Sequence, residues 1–131
     1  MRKIIFLAII TLSFAGISFA QVKEPFYVIP VNGAIDLGLS SFIKRTFKEA
    51  KENNAREIIL EIDTFGGRVD AVLDICKYLQ EIKPIKTIAF IEGNAWSAGA
   101  LVALASQNII MAPGSSIGSA EPKAMGFGAQ D

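Results

Sequence analysis

Arg56–Gly99 reads REIILEIDTFGGRVDAVLDICKYLQEIKPIKTIAFIEGNAWSAG, and its pattern decides the fold. Arg56–Thr64 is rich in β-branched residues and predicts a strand. Val69–Ile82 sets Val69, Val72, Leu73, Cys76, Leu79 and Ile82 on one stripe, which predicts a helix that Pro84 stops. Lys86–Glu92 (KTIAFIE) is a second strand. Strand, helix and strand in this order make a βαβ unit, whose crossover is right-handed and whose strands are parallel.

Working outward, the same alternation continues on both sides. Phe26–Ile35 (FYVIPVNGAI) reads as a strand with a bend at Asn32-Gly33. Gly38–Asn54 follows as a helix, with Leu39, Phe42, Ile43, Phe47 and Ala50 on one face and Lys44, Lys48, Lys51 and Glu52 available for water. Beyond the quoted stretch, Ala95–Ser106 is apolar on nearly every side and predicts a helix buried all round. Asn108–Ala112 (NIIMA) is a short strand, and Pro113-Gly114-Ser115-Ser116 turns the chain away. The expected fold class is α/β, with repeated βαβ units around a mainly parallel sheet. In such sheets chemistry gathers at the carboxyl ends of the strands. The chain ends on loop-like residues, Met125–Asp131. One face of the sheet and one side of the Ala95–Ser106 helix are therefore expected to lack cover, leaving the fold incomplete at its C-terminus.

Composition narrows the chemistry. The chain has 131 residues, 13 Lys+Arg, 13 Asp+Glu, no histidine and one cysteine, Cys76. Without histidine there is no Ser-His-Asp triad and no His-containing zinc site of the usual kind. No metal and no cofactor are expected. The lone cysteine cannot close an internal disulfide, and a balanced charge with no basic block argues against nucleic acid. An enzyme built from these residues must move protons with Lys, Asp, Glu or Tyr.

Residues 1–20 have the layout of a secretory signal peptide. Arg2 and Lys3 start it, Ile4–Ile17 is apolar, and the small residues Ser18 and Ala20 precede Gln21. The apolar run is short for a membrane span, although an uncleaved signal anchor is the alternative. Either way the remainder, residues 21–131, is expected outside the cytoplasm. Losing Arg2 and Lys3 leaves that remainder mildly acidic.

Two unusual stretches fall at strand ends. In Gly93-Asn94-Ala95-Trp96-Ser97-Ala98-Gly99, Ser97 stands where a strand turns into a helix, among small neighbours. That is the mechanical logic of a nucleophile elbow, with Ala95 in place of the first glycine of G-x-S-x-G. The Ala98 N–H would then face a developing oxyanion at the positive end of the helix. In Asp63-Thr64-Phe65-Gly66-Gly67-Arg68, the glycine pair can supply a second donor, and Asp63 can brace the glycine loop. Each feature has a plainer reading. Ser97 can be a helix N-cap, and Gly66-Gly67 a tight turn. Cys76 reads as core, Trp96 as packing or a cleft wall, and Arg68 as a solvated helix-start residue. Their joint placement at adjacent strand ends favours one site.

At this point Glu61–Gly67 (EIDTFGG), Asn94–Ala100 (NAWSAGA) and Met111–Ala120 (MAPGSSIGSA) resemble the Clp-class protease domain of NfeD-type membrane serine proteases, relatives of the Clp protease and signal peptide peptidase A families. The resemblance covers residues 24–131, so that residues 21–131 form the N-terminal part of such a domain. It implies a crotonase-like spiral of βαβ units. It implies Ser97 as nucleophile, with oxyanion donors at Gly67 and Ala98 supported by Gly66 and Asp63. It further implies apolar segments of membrane proteins as substrates, stomatin-like proteins as partners, and self-association. Phe65 departs from the proline usual before the glycine pair.

The resemblance also implies a Ser-Lys dyad whose base lysine comes from a segment beyond Asp131, followed by membrane spans and a small β-barrel domain. Within the chain the candidate base is Lys123, against its reading as an exposed loop lysine. A base must come within ~3 Å of the serine hydroxyl and lose roughly three pKa units through burial. Two other readings stand beside the protease. One is a non-catalytic, truncated or degenerate domain that binds peptide or a membrane partner. The other is an acyl-CoA enzyme, which export and the serine elbow disfavour.

Overall fold

The first four strands join the sheet in chain order, because each connection between them is a βαβ crossover. In the computed structural model, which describes residues 25–121, the elements are β1 (Phe26–Ile35), α1 (Leu37–Glu52), β2 (Glu57–Gly67), α2 (Val69–Glu81), β3 (Lys86–Trp96), α3 (Ala98–Ala105), β4 (Asn108–Met111) and β5 (Ser116–Gly118). The strand order is β1-β2-β3-β4, with β5 beside the far end of β3, and every pairing is parallel. The expected signal peptide at residues 1–20 and Lys123 lie outside the described residues. Among the described residues no helix is long and apolar enough to cross a membrane.

Strictly alternating burial along β2 explains the layering. Ile58, Leu60, Ile62 and Thr64 are buried, while the residues between them are half-buried or exposed. The buried side packs under the helices, where α1 touches α2 and α2 touches α3. Ile29, Val31, Ile35, Ile43, Ile75, Leu79, Ile91 and Val102 form the centre of this core. The start of α1 is locally encoded. Asp36 caps α1 by accepting the Leu39 N–H at 2.8 Å.

Among the described residues no helix covers the opposite side of the sheet, and Phe26 and Val28 are exposed there. On β4 every residue is exposed, as are Leu101 and Leu104 of α3. The expected lack of cover on one sheet face is therefore observed among the described residues. The expectation that the third helix is buried all round is corrected. Its Ala98, Gly99, Ala100, Val102 and Ala103 are buried, but its leucines face out, because α3 has neighbours on one side only.

Other boundaries move for definite reasons. On α2 the buried line is Ala71, Val72, Ile75 and Leu79, while Val69 and Leu73 are exposed. Its apolar residues outnumber those one face can bury, and contact with both α1 and α3 selects the line. The largest shift is in β3, which passes through Gly93-Asn94 and ends at Trp96. Between the pairs Ile62↔Ile91 and Thr64↔Ala95, β2 advances two residues and β3 four. Gly93-Asn94 is a bulge and not a strand end, and the third helix consequently starts at Ala98 instead of Ala95.

Candidate active site

The bulge aims the end of β3. It lets Ala95 point into the core opposite Thr64, and it brings Trp96 and Ser97 to the surface at the rim of the sheet. Ser97 has φ 50° and ψ −116°, a backbone conformation that L-residues rarely adopt. It stands at the N-cap position of α3, yet its side chain makes no capping hydrogen bond. The capping role is thereby excluded, and the hydroxyl is exposed at the strand-to-helix corner. The corner is held through the backbone. The Ser97 N–H donates to the Gly118 carbonyl of β5 at 2.8 Å, and the Ser97 carbonyl accepts from the Ala100 N–H at 3.1 Å. The strand β5, absent from the sequence reading, pairs with the end of β3 and holds this corner.

At Ala98, the first residue of α3, helix geometry leaves the N–H without a partner within the helix. Gly66 reaches the same place from β2. With φ 113°, a Cβ there would meet Ser97 Cβ at 2.9 Å, the Trp96 carbonyl oxygen at 3.2 Å and the Ala98 nitrogen at 3.3 Å. Only glycine fits. Gly67 is flush against β1, where a Cβ would come within 2.1 Å of the Ile35 carbonyl oxygen. Arg68 N–H donates to that carbonyl at 2.8 Å while Gly67 pairs opposite Ile35. In a parallel ladder the residue opposite the bonded one leaves its own amide free, so the Gly67 N–H turns away from β1 toward the side where β3 ends. Ser97, Ala98 and Gly66 are thus brought together, with Gly67 next in the chain against β1, and the glycine pair closes β2 rather than forming a separate turn.

The bracing differs from expectation. Asp63 does not hold the glycine loop. Its Oδ1 accepts the Asn94 N–H at 2.9 Å and the Asn94 Nδ2–H at 3.4 Å, so it fills the β3 bulge beneath Gly93. The glycine loop is held by Thr64, a buried residue missed in the sequence. Its Oγ1 accepts the Gly66 N–H at 3.0 Å and donates to the Gly33 carbonyl. Its methyl group lies where a Gly99 side chain would be, which draws α3 against β2. A threonine two residues before the first of a glycine pair was the available signal.

Trp96 is 38% exposed at the rim of the sheet, with its polar edge held. Its Nε1–H donates to Ser116 Oγ at 2.7 Å, and Ser116 Oγ donates to Asn94 Oδ1 at 3.0 Å. Phe65 meets it edge-on, with ring centroids 5.2 Å apart and an interplanar angle of 66°. Arg68 is paired to Asp70 at 2.7 Å, an exposed contact that raises the guanidinium pKa and lowers the carboxyl. Cys76 is half-buried on α2, as its reading as core implied, and burial pushes its thiol pKa up. Among the described residues no three His, Cys, Asp or Glu side chains gather to hold a metal.

Comparison with known proteins agrees with this architecture. Residues 25–130 match the family model of the NfeD1b N-terminal domain. The chain is 39% identical over 116 residues to membrane protein NfeD1b of Bacillus subtilis, covering 87% of this chain and 26% of that protein. It is 37% identical over 124 residues to the membrane-bound protease PH1510 of Pyrococcus horikoshii, covering 93% of this chain and 28% of that protein. The chain therefore spans about a quarter of the length of these relatives. A solved structure of a 1510-N membrane-bound stomatin-specific protease, a lysine-to-alanine mutant in complex with a substrate peptide, superposes with a TM-score of 0.72 at 38% identity, covering 77% of this chain and 47% of that one. The parallel βαβ sheet has the topology of Clp proteases: ClpP1 from Listeria monocytogenes gives a TM-score of 0.53 at 25% identity, covering 60% of this chain and 46% of that one. The chain belongs to the NfeD1b N-terminal domain family and has a Clp-protease-like fold.

Proposed function

We propose that this chain carries the nucleophile part of a serine endopeptidase. Ser97 Oγ attacks a peptide carbonyl carbon as a base removes its proton. The oxygen becomes an oxyanion held by the Ala98 and Gly67 N–H groups, each worth ~3 kcal/mol in the transition state. The C–N bond then breaks, the base returns the proton to the leaving amine, and water hydrolyses the acyl-Ser97 ester. The resemblance to Ser-Lys members of the family makes the base a neutral lysine, giving a Ser-Lys dyad. That lysine is expected beyond Asp131, with Lys123 the internal candidate.

The observation that carries this reading is Ser97 itself. It is an exposed serine in a strained corner whose side chain does nothing structural, while its N–H is tied to β5. Strain of ~1–3 kcal/mol at such a residue is retained where function needs the geometry. By analogy with the stomatin-specific protease, the substrate is an apolar segment of a membrane protein, with a stomatin-like partner and self-association. Export by residues 1–20 places the domain outside the cytoplasm, against the membrane. The sheet belongs, in this reading, to a crotonase-like spiral.

A serine-directed fluorophosphonate, followed by peptide mass spectrometry of the membrane-bound protein, tests it. Ser97 is expected to carry the label, and Ser97→Ala to lose it. Equal labelling of the alanine variant overturns the assignment. An unlabelled Ser97 in a protein that still binds substrate peptide favours a non-catalytic binding domain.

A further inference from the structure

Thr64 and Ala95 pair across β2 and β3 with both side chains in the core, so the next residue on each strand, Phe65 and Trp96, points to the opposite, helix-free side of the sheet. Both rings are exposed there, Phe65 at 69% and Trp96 at 38%. Each directly precedes a residue of the site, Phe65 before Gly66 and Trp96 before Ser97. Among the described residues nothing covers either ring, and two large aromatic side chains exposed side by side form an apolar patch.

The two rings are also held. The Trp96 indole is tethered through Nε1 to Ser116, Ser116 is bonded to Asn94, and Asn94 is bonded to Asp63 in the bulge. One hydrogen bond at the ring's polar edge fixes the indole plane and leaves its apolar surface open. Phe65 stands at 66° to that plane, so the pair forms a corner of two apolar walls. A third flat ring entering the corner can pack against one wall and meet the other edge-on, the arrangement aromatic groups prefer. Lining with one tethered and one untethered ring also makes the corner stiff on the Trp96 side and adjustable on the Phe65 side.

We infer that Phe65 and Trp96 form a specificity corner that selects an aromatic side chain beside the scissile bond of the peptide substrate. This rests on the protease reading for the words "scissile bond", whereas recognition of the aromatic side chain does not. The corner works by shape and by exclusion of water. An aromatic residue seated in it covers both ring walls and excludes water from them. An alanine in the same place leaves both walls wet.

Trp96 is the sole tryptophan, so its emission reports the corner directly. The test titrates the Ser97→Ala protein, which cannot turn over, with two capped pentapeptides differing only in a central Phe or Ala. The Phe peptide is expected to shift Trp96 emission to the blue and to bind at least ten-fold more tightly than the Ala peptide. Phe65→Ala is expected to cut that preference to less than three-fold, and Phe65→Tyr to keep it. Equal affinities, or an emission spectrum unmoved at saturation, overturn the inference. In parallel, diphenyl phosphonates with a benzyl or a methyl side chain are reacted with the protein carrying Ser97. Benzyl labelling at least ten-fold faster, and equalised by Phe65→Ala, supports the corner. Equal labelling by both overturns it and leaves the protease reading standing. Absence of all labelling, with the fluorescence preference retained, overturns the protease reading and leaves the corner as a peptide-recognition site.

Discussion

Gly66 and Ser97 touch across the ends of β2 and β3, and the contact leaves no room for a side chain on Gly66, whose Cβ would sit 2.9 Å from Ser97 Cβ. The nucleophile corner is thus built against a bare backbone. The Gly66→Ala protein should lose fluorophosphonate labelling of Ser97 by at least 100-fold. Its stability should fall by ~1–3 kcal/mol, from the positive φ together with the clash. Urea unfolding and labelling rates measure the two effects, and normal labelling in a folded Gly66→Ala protein would show that the contact is not needed.

Ser97 separates strain from capping. Since its hydroxyl caps nothing, Ser97→Ala should change stability by less than ~0.5 kcal/mol, whereas removal of a capping serine costs ~1 kcal/mol. Ser97→Gly should be at least as stable as the parent, because glycine occupies φ 50°, ψ −116° without the strain of a Cβ. Thermal unfolding of the two variants side by side decides the matter. A marked loss in both would restore the capping role.

Thr64 is the buried clasp between β1, the glycine pair and α3. Thr64→Val keeps the shape but orphans the Gly66 N–H, so the expected loss is ~1–3 kcal/mol, while Thr64→Ser should lose less than half as much. Chemical denaturation checks this, and amide exchange at Gly66 should quicken in the valine variant alone.

Cys76 supplies a pH dependence of known sign. Burial raises its thiol pKa in the folded chain, so above the ordinary value of 9.0 the unfolded chain releases the proton first. The contribution of Cys76 to stability is therefore fully present below that value and is lost as pH rises toward the higher folded one. The stability difference between the parent and Cys76→Ala should shrink on the alkaline side. At pH 8, iodoacetamide should modify the folded chain several-fold more slowly than the chain in urea.

Asp63 acts on the bulge and not on the glycines. Asp63→Ala should loosen Asn94 and, through Ser116, the Trp96 ring, seen as a red shift of Trp96 emission with Ser97 labelling slowed less than ten-fold. Asp63→Asn, which keeps an acceptor for the Asn94 N–H, should leave the emission in place.

The elements legible in the sequence are those written by local periodicity. The strand Phe26–Ile35 has the predicted limits, and the helices after it begin and end within two residues of expectation until Gly93. Ser97, Ala98, Gly66 and Gly67 were equally legible, because a small-residue elbow and a glycine pair follow successive strands. What failed was each reading that depended on a partner far along the chain. Gly93-Asn94 looks like a strand end because those residues terminate strands, unless a carboxylate such as Asp63 stands ready to bond the bulged amide. Likewise Ser116–Gly118 reads as the continuation of a turn until the end of β3 is there to pair with it.

By itself the sequence determined the α/β class, the parallel order of its strands and the serine at the corner. Hydrophobic period, glycine placement and composition are properties of neighbouring residues, and they survive any fold. Only the tertiary structure decided that Ser97 caps nothing, that Thr64 rather than Asp63 holds the glycines, and that Phe65 and Trp96 share a corner. Those outcomes depend on a two-residue slip in the register of β3 against β2, and register is set by side chains that meet across the sheet.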